Sequence, residues 1–152
     1  MRRRLARELA LQSLYQIAMN EVTSGDAIAH VVEEARGDDE AQLTRERDQI
    51  SPVDVLELVE GTTQNKQQID SLLEDYLKGW QMDRLSKVDR EILRLATYEM
   101  VYKEGVPPKV VVNEAIEMAK NFGTEESGKF VNGVLGKMFK DLEKLREKTP
   151  KV

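Results

Sequence analysis

Apolar residues recur at three- and four-residue intervals along most of the chain, and no alternating run bounded by turn residues marks a strand. The pattern predicts an all-α fold of about seven helices. The first runs from about Arg3 to Val22, with Ala6, Ala10, Leu14 and Ile17 on one side and Leu11, Ala18 and Val22 adjoining, so it is expected to pack centrally. Ser24-Gly25-Asp26 stops and restarts the chain, and Ile28, Val31, Val32 and Ala35 make a short second helix ending near Gly37. Residues 38–49 are charge-dense and are expected to be the most mobile segment. In Ser51-Pro52-Val53-Asp54 a capping hydroxyl, a proline suited to the first helical position and an acid suited to the helix dipole come in order. They predict a third helix, to about Thr62.

Ile69, Leu72, Leu73, Tyr76 and Trp80 mark a fourth helix ending near Gly79. Ser86-Lys87-Val88-Asp89 opens a fifth with Val88, Ile92, Leu95, Ala96 and Tyr102 on one face, stopped by Gly105 and Pro107-Pro108. The sixth is expected over Lys109 to Asn121, with Val112, Ala115, Ile116 and Ala119 as its core face. The seventh begins at a capping Thr124 and runs on Val131, Val134, Leu135, Met138, Leu142 and Leu145. A break at residues 79–85 divides one domain, 1–152, into an N-terminal helical subdomain, 1–80, and a C-terminal one, 81–148. Gly128, Gly133 and Gly136 lie inside the seventh helix. Each costs on the order of 1 kcal/mol relative to Ala, so close packing of another backbone, or approach of a ligand, is expected there.

Composition narrows the function. The 152 residues fit one domain or two small subdomains and exclude a large multidomain enzyme. With no Cys and one His, the chain has no disulfide, no thiolate zinc site and no histidine cluster for a metal. The start Met-Arg-Arg-Arg-Leu-Ala-Arg leads into an amphipathic stretch interrupted by Glu8, Gln12 and Gln16, so no export signal is read. No run approaches the roughly 20 apolar residues of a spanning helix, and the expected location is cytoplasmic. Net charge is −5 but unevenly spread: residues 1–22 hold four Arg against two acids, and residues 23–62 hold three Arg against eleven acids. The overall acidity argues against sequence-blind coating of nucleic acid, whereas a local basic cluster can still hold phosphates.

Arg4, Arg7, Leu11 and Tyr15 follow at helical spacing, with Arg3 just off their line. Such a stripe suits single-stranded RNA, because Arg forks bind phosphate and a Tyr ring offers a face to an unstacked base. A solvated basic tail ahead of a core Tyr is the plainer reading of the same residues. The pairs Glu33-Glu34, Asp38-Asp39 and Glu125-Glu126 lie in hydrophilic sequence, where solvation and helix-dipole roles suffice, and they carry no acid/base chemistry. No phosphate loop, HExxH or GxSxG is present, so neither an enzyme nor a cofactor is expected. His30 reads as a packed or partly exposed side chain. Tyr76, Trp80, Met82 and Leu85 gather beside Asp83, Arg84, Lys87, Asp89 and Arg90, either as the seam between subdomains, which the sequence alone favours, or as a partner surface.

Three blocks in order carry a family resemblance: Arg84-Leu-Ser-Lys-Val-Asp-Arg-Glu-Ile-Leu-Arg-Leu-Ala-Thr-Tyr-Glu-Met, then Pro107-Pro-Lys-Val-Val-Val-Asn-Glu-Ala-Ile-Glu-Met-Ala-Lys, then Phe122-Gly-Thr-Glu-Glu-Ser-Gly-Lys-Phe-Val-Asn-Gly-Val-Leu. With the arginine-rich residues 2–15, the chain resembles the NusB family of bacterial transcription antitermination factors over essentially its whole length. The resemblance implies two helical subdomains and a function without catalysis. It implies binding to boxA, a short single-stranded RNA of ribosomal RNA leaders, together with NusE, a small-subunit ribosomal protein, on the elongating RNA polymerase with other Nus factors. By position it implies RNA contacts from Arg3, Arg4, Arg7, Gln12 and Tyr15, joined by Lys129 and Phe130, and NusE contacts from Tyr76, Asp89 and Arg90. Some members of the family self-associate and hide the arginine-rich helix. The alternative function is therefore a helical interaction module or homodimer without sequence-specific RNA binding.

Overall fold

A computed structural model describes residues 2–20, 23–37, 52–77, 82–103 and 105–148. Among these residues the secondary structure is helical, with no strand. The helices are α1 (Arg2–Asn20), α2 (Ser24–Gly37), α3 (Pro52–Gln64), α4 (Lys66–Glu74), α5 (Lys87–Thr97), α6 (Pro108–Phe122), α7 (Glu125–Lys140) and α8 (Leu142–Lys148). A single 3₁₀ turn, Met82–Arg84, precedes α5, and a π turn, Tyr98–Tyr102, continues it. The chain divides into two compact units, residues 1–61 and 62–152, with the division inside α3. The sequence expectation put α4 with the N-terminal helices. Instead it groups with α5, because Ile69 and Leu73 are fully buried and Asp70 is bonded to Arg94 of α5.

In the first unit α1 packs on α2. Leu9, Ala10, Leu11 and Leu14 are buried, and the buried Ser13 hydroxyl donates to the Leu9 carbonyl at 2.8 Å, so no polar group is stranded there. The Thr23 hydroxyl accepts from the Asp26 N–H at 3.2 Å and starts α2, whose Ala27, Ile28, Val31 and Val32 are buried. In α3, Pro52 and Asp54 occupy the first turn, and Val55, Leu58, Val59 and Thr62 turn inward at helical spacing. The expected cap, Ser51, and residues 38–49 lie outside the described residues.

The second unit is organised around α5. Ser86 caps it by accepting from the Asp89 N–H at 3.1 Å, and every residue from Glu91 to Val101 is buried. A helix buried all round must pair any charge it carries. Arg94 does so, giving Asp70 a two-pronged bond (Nε–Oδ1 2.8 Å and Nη2–Oδ2 2.8 Å) and Glu91 a third at 2.9 Å. Burial alone would pull its pKa down, but Asp70 and Glu91 more than offset that, and the net shift is upward. In the π turn the Met100 carbonyl accepts from Arg146 Nε at 3.1 Å and Nη2 at 2.8 Å, which satisfies an acceptor left over at a helix end.

Four details depart from the sequence reading. α4 ends at Glu74, with Tyr76 and Leu77 in the following turn; Trp80 lies outside the described residues. The core face of α6 is Val111, Ala115, Met118 and Ala119, and Val112 and Ile116 sit half-buried at its margin, because the apolar stripe is broad enough to fit either phase. The single seventh helix is two, parted at Asp141, whose carbonyl receives the Leu145 N–H at 3.0 Å. Of the three glycines of the expected seventh helix, Gly128 alone is closely packed. A Cβ there would lie 3.0 Å from Cγ of Lys120 on α6, one at Gly133 would meet nothing within 4 Å, and one at Gly136 only Asn132 Oδ1 at 4.0 Å.

Candidate functional site

The first turn of α1 contains no acid and holds Arg2, Arg3 and Arg4. A helix N-terminus already presents the positive end of the peptide dipoles, so basic residues in this turn oppose the usual preference. By contrast α2, α3, α5, α7 and α8 each carry an acid in the first turn. Helical phasing then sorts the rest of α1. Arg4 is exposed, Glu8 and Gln12 are half-buried, and Tyr15 and Met19 are exposed at 38 % and 45 %.

This exposed line is not the stripe expected from sequence. Arg7 is 4 % exposed and Leu11 is 3 % exposed, so the middle of Arg4-Arg7-Leu11-Tyr15 turns inward. Arg7 is a buried cation engaged within the chain. Tyr15, conversely, is not a core residue. The side chain of Arg3 lies outside the described residues. Met19 escaped the sequence reading because a single Met at a helix end is indistinguishable from packing. Its i, i+4 relation to Tyr15 is the signal that could have found it.

In the second unit Lys129 and Phe130 occupy the second turn of α7, which Thr124 caps by accepting from the Ser127 N–H at 3.1 Å. Lys129 is exposed, and its 3.6 Å pair with the exposed Glu126 contributes little stability, so its charge stays available to another anion. Phe130 is half-buried. Around it α7 turns Asn132, Gly133, Lys137 and Lys140 outward.

Tyr76, Asp89 and Arg90 are each held differently. The Tyr76 hydroxyl donates to Asp141 Oδ2 at 2.8 Å, and burial, followed by that carboxylate, pushes its pKa up to about 12. Arg90 gives its Nε to Glu91 Oε2 at 2.9 Å. Asp89 keeps Oδ1 buried without a hydrogen-bond partner among the described residues. His30 is exposed. Among the described residues no group of three or more His, Asp or Glu is placed to hold a metal ion, and no helix is long and apolar enough to cross a membrane.

These features define a small all-α protein with a basic, aromatic-ended first helix. Comparison with known proteins makes the class specific. The NusB family profile matches residues 4–140. The transcription antitermination protein NusB of Bacillus licheniformis is 42 % identical over 143 residues, covering 94 % of this chain and all of the relative. T. maritima NusB superposes with a TM-score of 0.78 at 34 % identity, covering 97 % of each chain. A structure of the antitermination factors NusB and NusE in complex with dsRNA gives a TM-score of 0.76 at 28 % identity, over 91 % of this chain and 96 % of that one. The chain belongs to the NusB family and is a transcription antitermination factor rather than an enzyme.

Proposed function

We propose that the chain binds boxA single-stranded RNA of ribosomal RNA leaders together with NusE, and in that complex acts in the cytoplasm on the elongating RNA polymerase. The observation that carries the reading is the inverted first turn of α1, where cations stand at a helix end that already attracts anions. A NusB relative in complex with NusE and RNA supports both partners.

In this reading Arg3 and Arg4 neutralise phosphates, Gln12 offers an amide to a base edge, and Tyr15 offers its ring. Arg7 adds its charge from beneath the surface. Lys129 and Phe130 of α7 make a second, independent set of phosphate and base contacts. Tyr76, Asp89 and Arg90 meet NusE. Among the described residues Arg90 is held through Nε, which leaves its terminal nitrogens for a partner carboxylate. Asp89 Oδ1 has no hydrogen-bond partner among the described residues. Two modest contacts, one to RNA and one to NusE, then combine into one specific complex.

Fluorescence anisotropy of a labelled boxA RNA against a scrambled one, with and without purified NusE, tests this. The expected result is preference for boxA that strengthens with NusE. A folded sample that treats both RNAs alike in both conditions would overturn the proposal.

A further inference from the structure

Residues 4, 8, 12, 15 and 19 of α1 fall within an arc of about 80° at 100° per residue, one continuous outward line about 22 Å long. Its chemistry changes along its length. It begins with the exposed Arg4 and ends with the only two exposed large apolar side chains of the helix, Tyr15 and Met19. Its one carboxylate, Glu8, is half-buried and engaged within the chain. Tyr15 and Met19 stand one turn apart, about 6 Å along the axis. Two such side chains fall far short of the roughly 800 Å² per partner that a stable protein interface needs, but they match the face of one nucleobase.

We propose that Met19 is a base-contacting residue, forming with Tyr15 an apolar platform for one unpaired base of the bound RNA at the end of α1 opposite its arginines. The inference rests on the RNA-binding reading above and goes beyond it in assigning the base its second wall. A thioether suits the task, because it is polarisable, unbranched and makes favourable contacts with aromatic faces. The platform carries no charge, so its contribution is to affinity and register and not to salt dependence.

The test uses the full chain with NusE and a boxA RNA carrying an abasic site at each position in turn. Met19→Ala is expected to weaken binding of intact RNA about fivefold with an unchanged salt slope, and Met19→Leu to stay within about twofold of the parent. The fivefold effect is expected to vanish on one abasic RNA, the one lacking the base that lies on the platform. Met19→Gln, which keeps length and helix propensity, replaces the alanine variant if circular dichroism shows the latter misfolded. An alanine or glutamine variant that binds like the parent, loses equally on every abasic RNA, or changes the salt slope overturns the assignment while leaving the RNA reading intact. A parent chain that does not prefer boxA over its scrambled control removes both together.

Discussion

α1 and α5 are both helices with arginines, and they use them in opposite ways. At the start of α5 the local rules are obeyed: Ser86 caps, Asp89 stands in the first turn, and the buried Arg94 is saturated by Asp70 and Glu91. At the start of α1 they are broken: three arginines occupy a first turn that contains no acid. The lesson is that an arginine's role follows from where its helix places it, buried against acids or exposed at a helix end. Arg94 is consumed by the fold; Arg4 stands exposed in the first turn of its helix. Arg7 shows that both fates occur within one helix.

The contrast is open to attack at several points. Arg94→Ala should break the inward-facing region most severely. It strands the 21 %-exposed Asp70 and leaves Glu91 with Arg90 alone, and about 3 kcal/mol should be lost, the low end for a broken buried pair, as read from denaturant midpoints. RNA affinity of the folded fraction should not move. Arg4→Ala should do the reverse. Boxa RNA binding should weaken several-fold and its log–log salt slope should flatten by about 0.7, while stability rises by a few tenths of a kcal/mol as a cation leaves the positive helix end. A fall in stability with an unchanged slope would place Arg4 with Arg94.

Smaller effects sharpen the same division. Gly133→Ala fills open space on the outer side of α7 and should stabilise by up to about 1 kcal/mol in thermal or denaturant unfolding, whereas Gly128→Ala meets the Lys120 stem and should gain less. Tyr76→Phe should have the smallest and most conditional effect. The folded phenol is raised to about 12 from an ordinary value of 10.0, so its stabilising contribution is complete below pH 10 and is lost as pH climbs through 12. The stability gap between parent and variant should therefore be level up to pH 10 and close between pH 10 and 12.

Most of the fold was legible because punctuation and periodicity agree. Ser86 and Thr124 cap the helices they were expected to cap, and the Pro107-Pro108 step opens α6. Legibility failed where a pattern admits two phases or continues across a break. Nothing in the apolar run from Val131 to Leu145 announces that Asp141 interrupts it, because Leu142 and Leu145 keep the spacing of the helix before them. The family was legible from its motifs. The exposed line of α1 was only half so: Arg4 and Tyr15 belong to two different residue series, one through Arg7 and Leu11 and one through Glu8 and Gln12, and only burial tells which series faces outward. The buried Arg94–Asp70 bond was not readable at all, since its partners are 24 positions apart.

The seven residues of α8 carry a kinetic consequence. A helix so short has no independent stability, and it persists because Leu142 and Leu145 are buried and Arg146 grips the Met100 carbonyl. Its opening is therefore a local event with a lower free energy than global unfolding, and amide exchange in residues 142–148 should outpace exchange in α5 by orders of magnitude. Each such opening deprives the π turn of its donors, so the amides of Tyr98 to Tyr102 should exchange in step with the end of the chain.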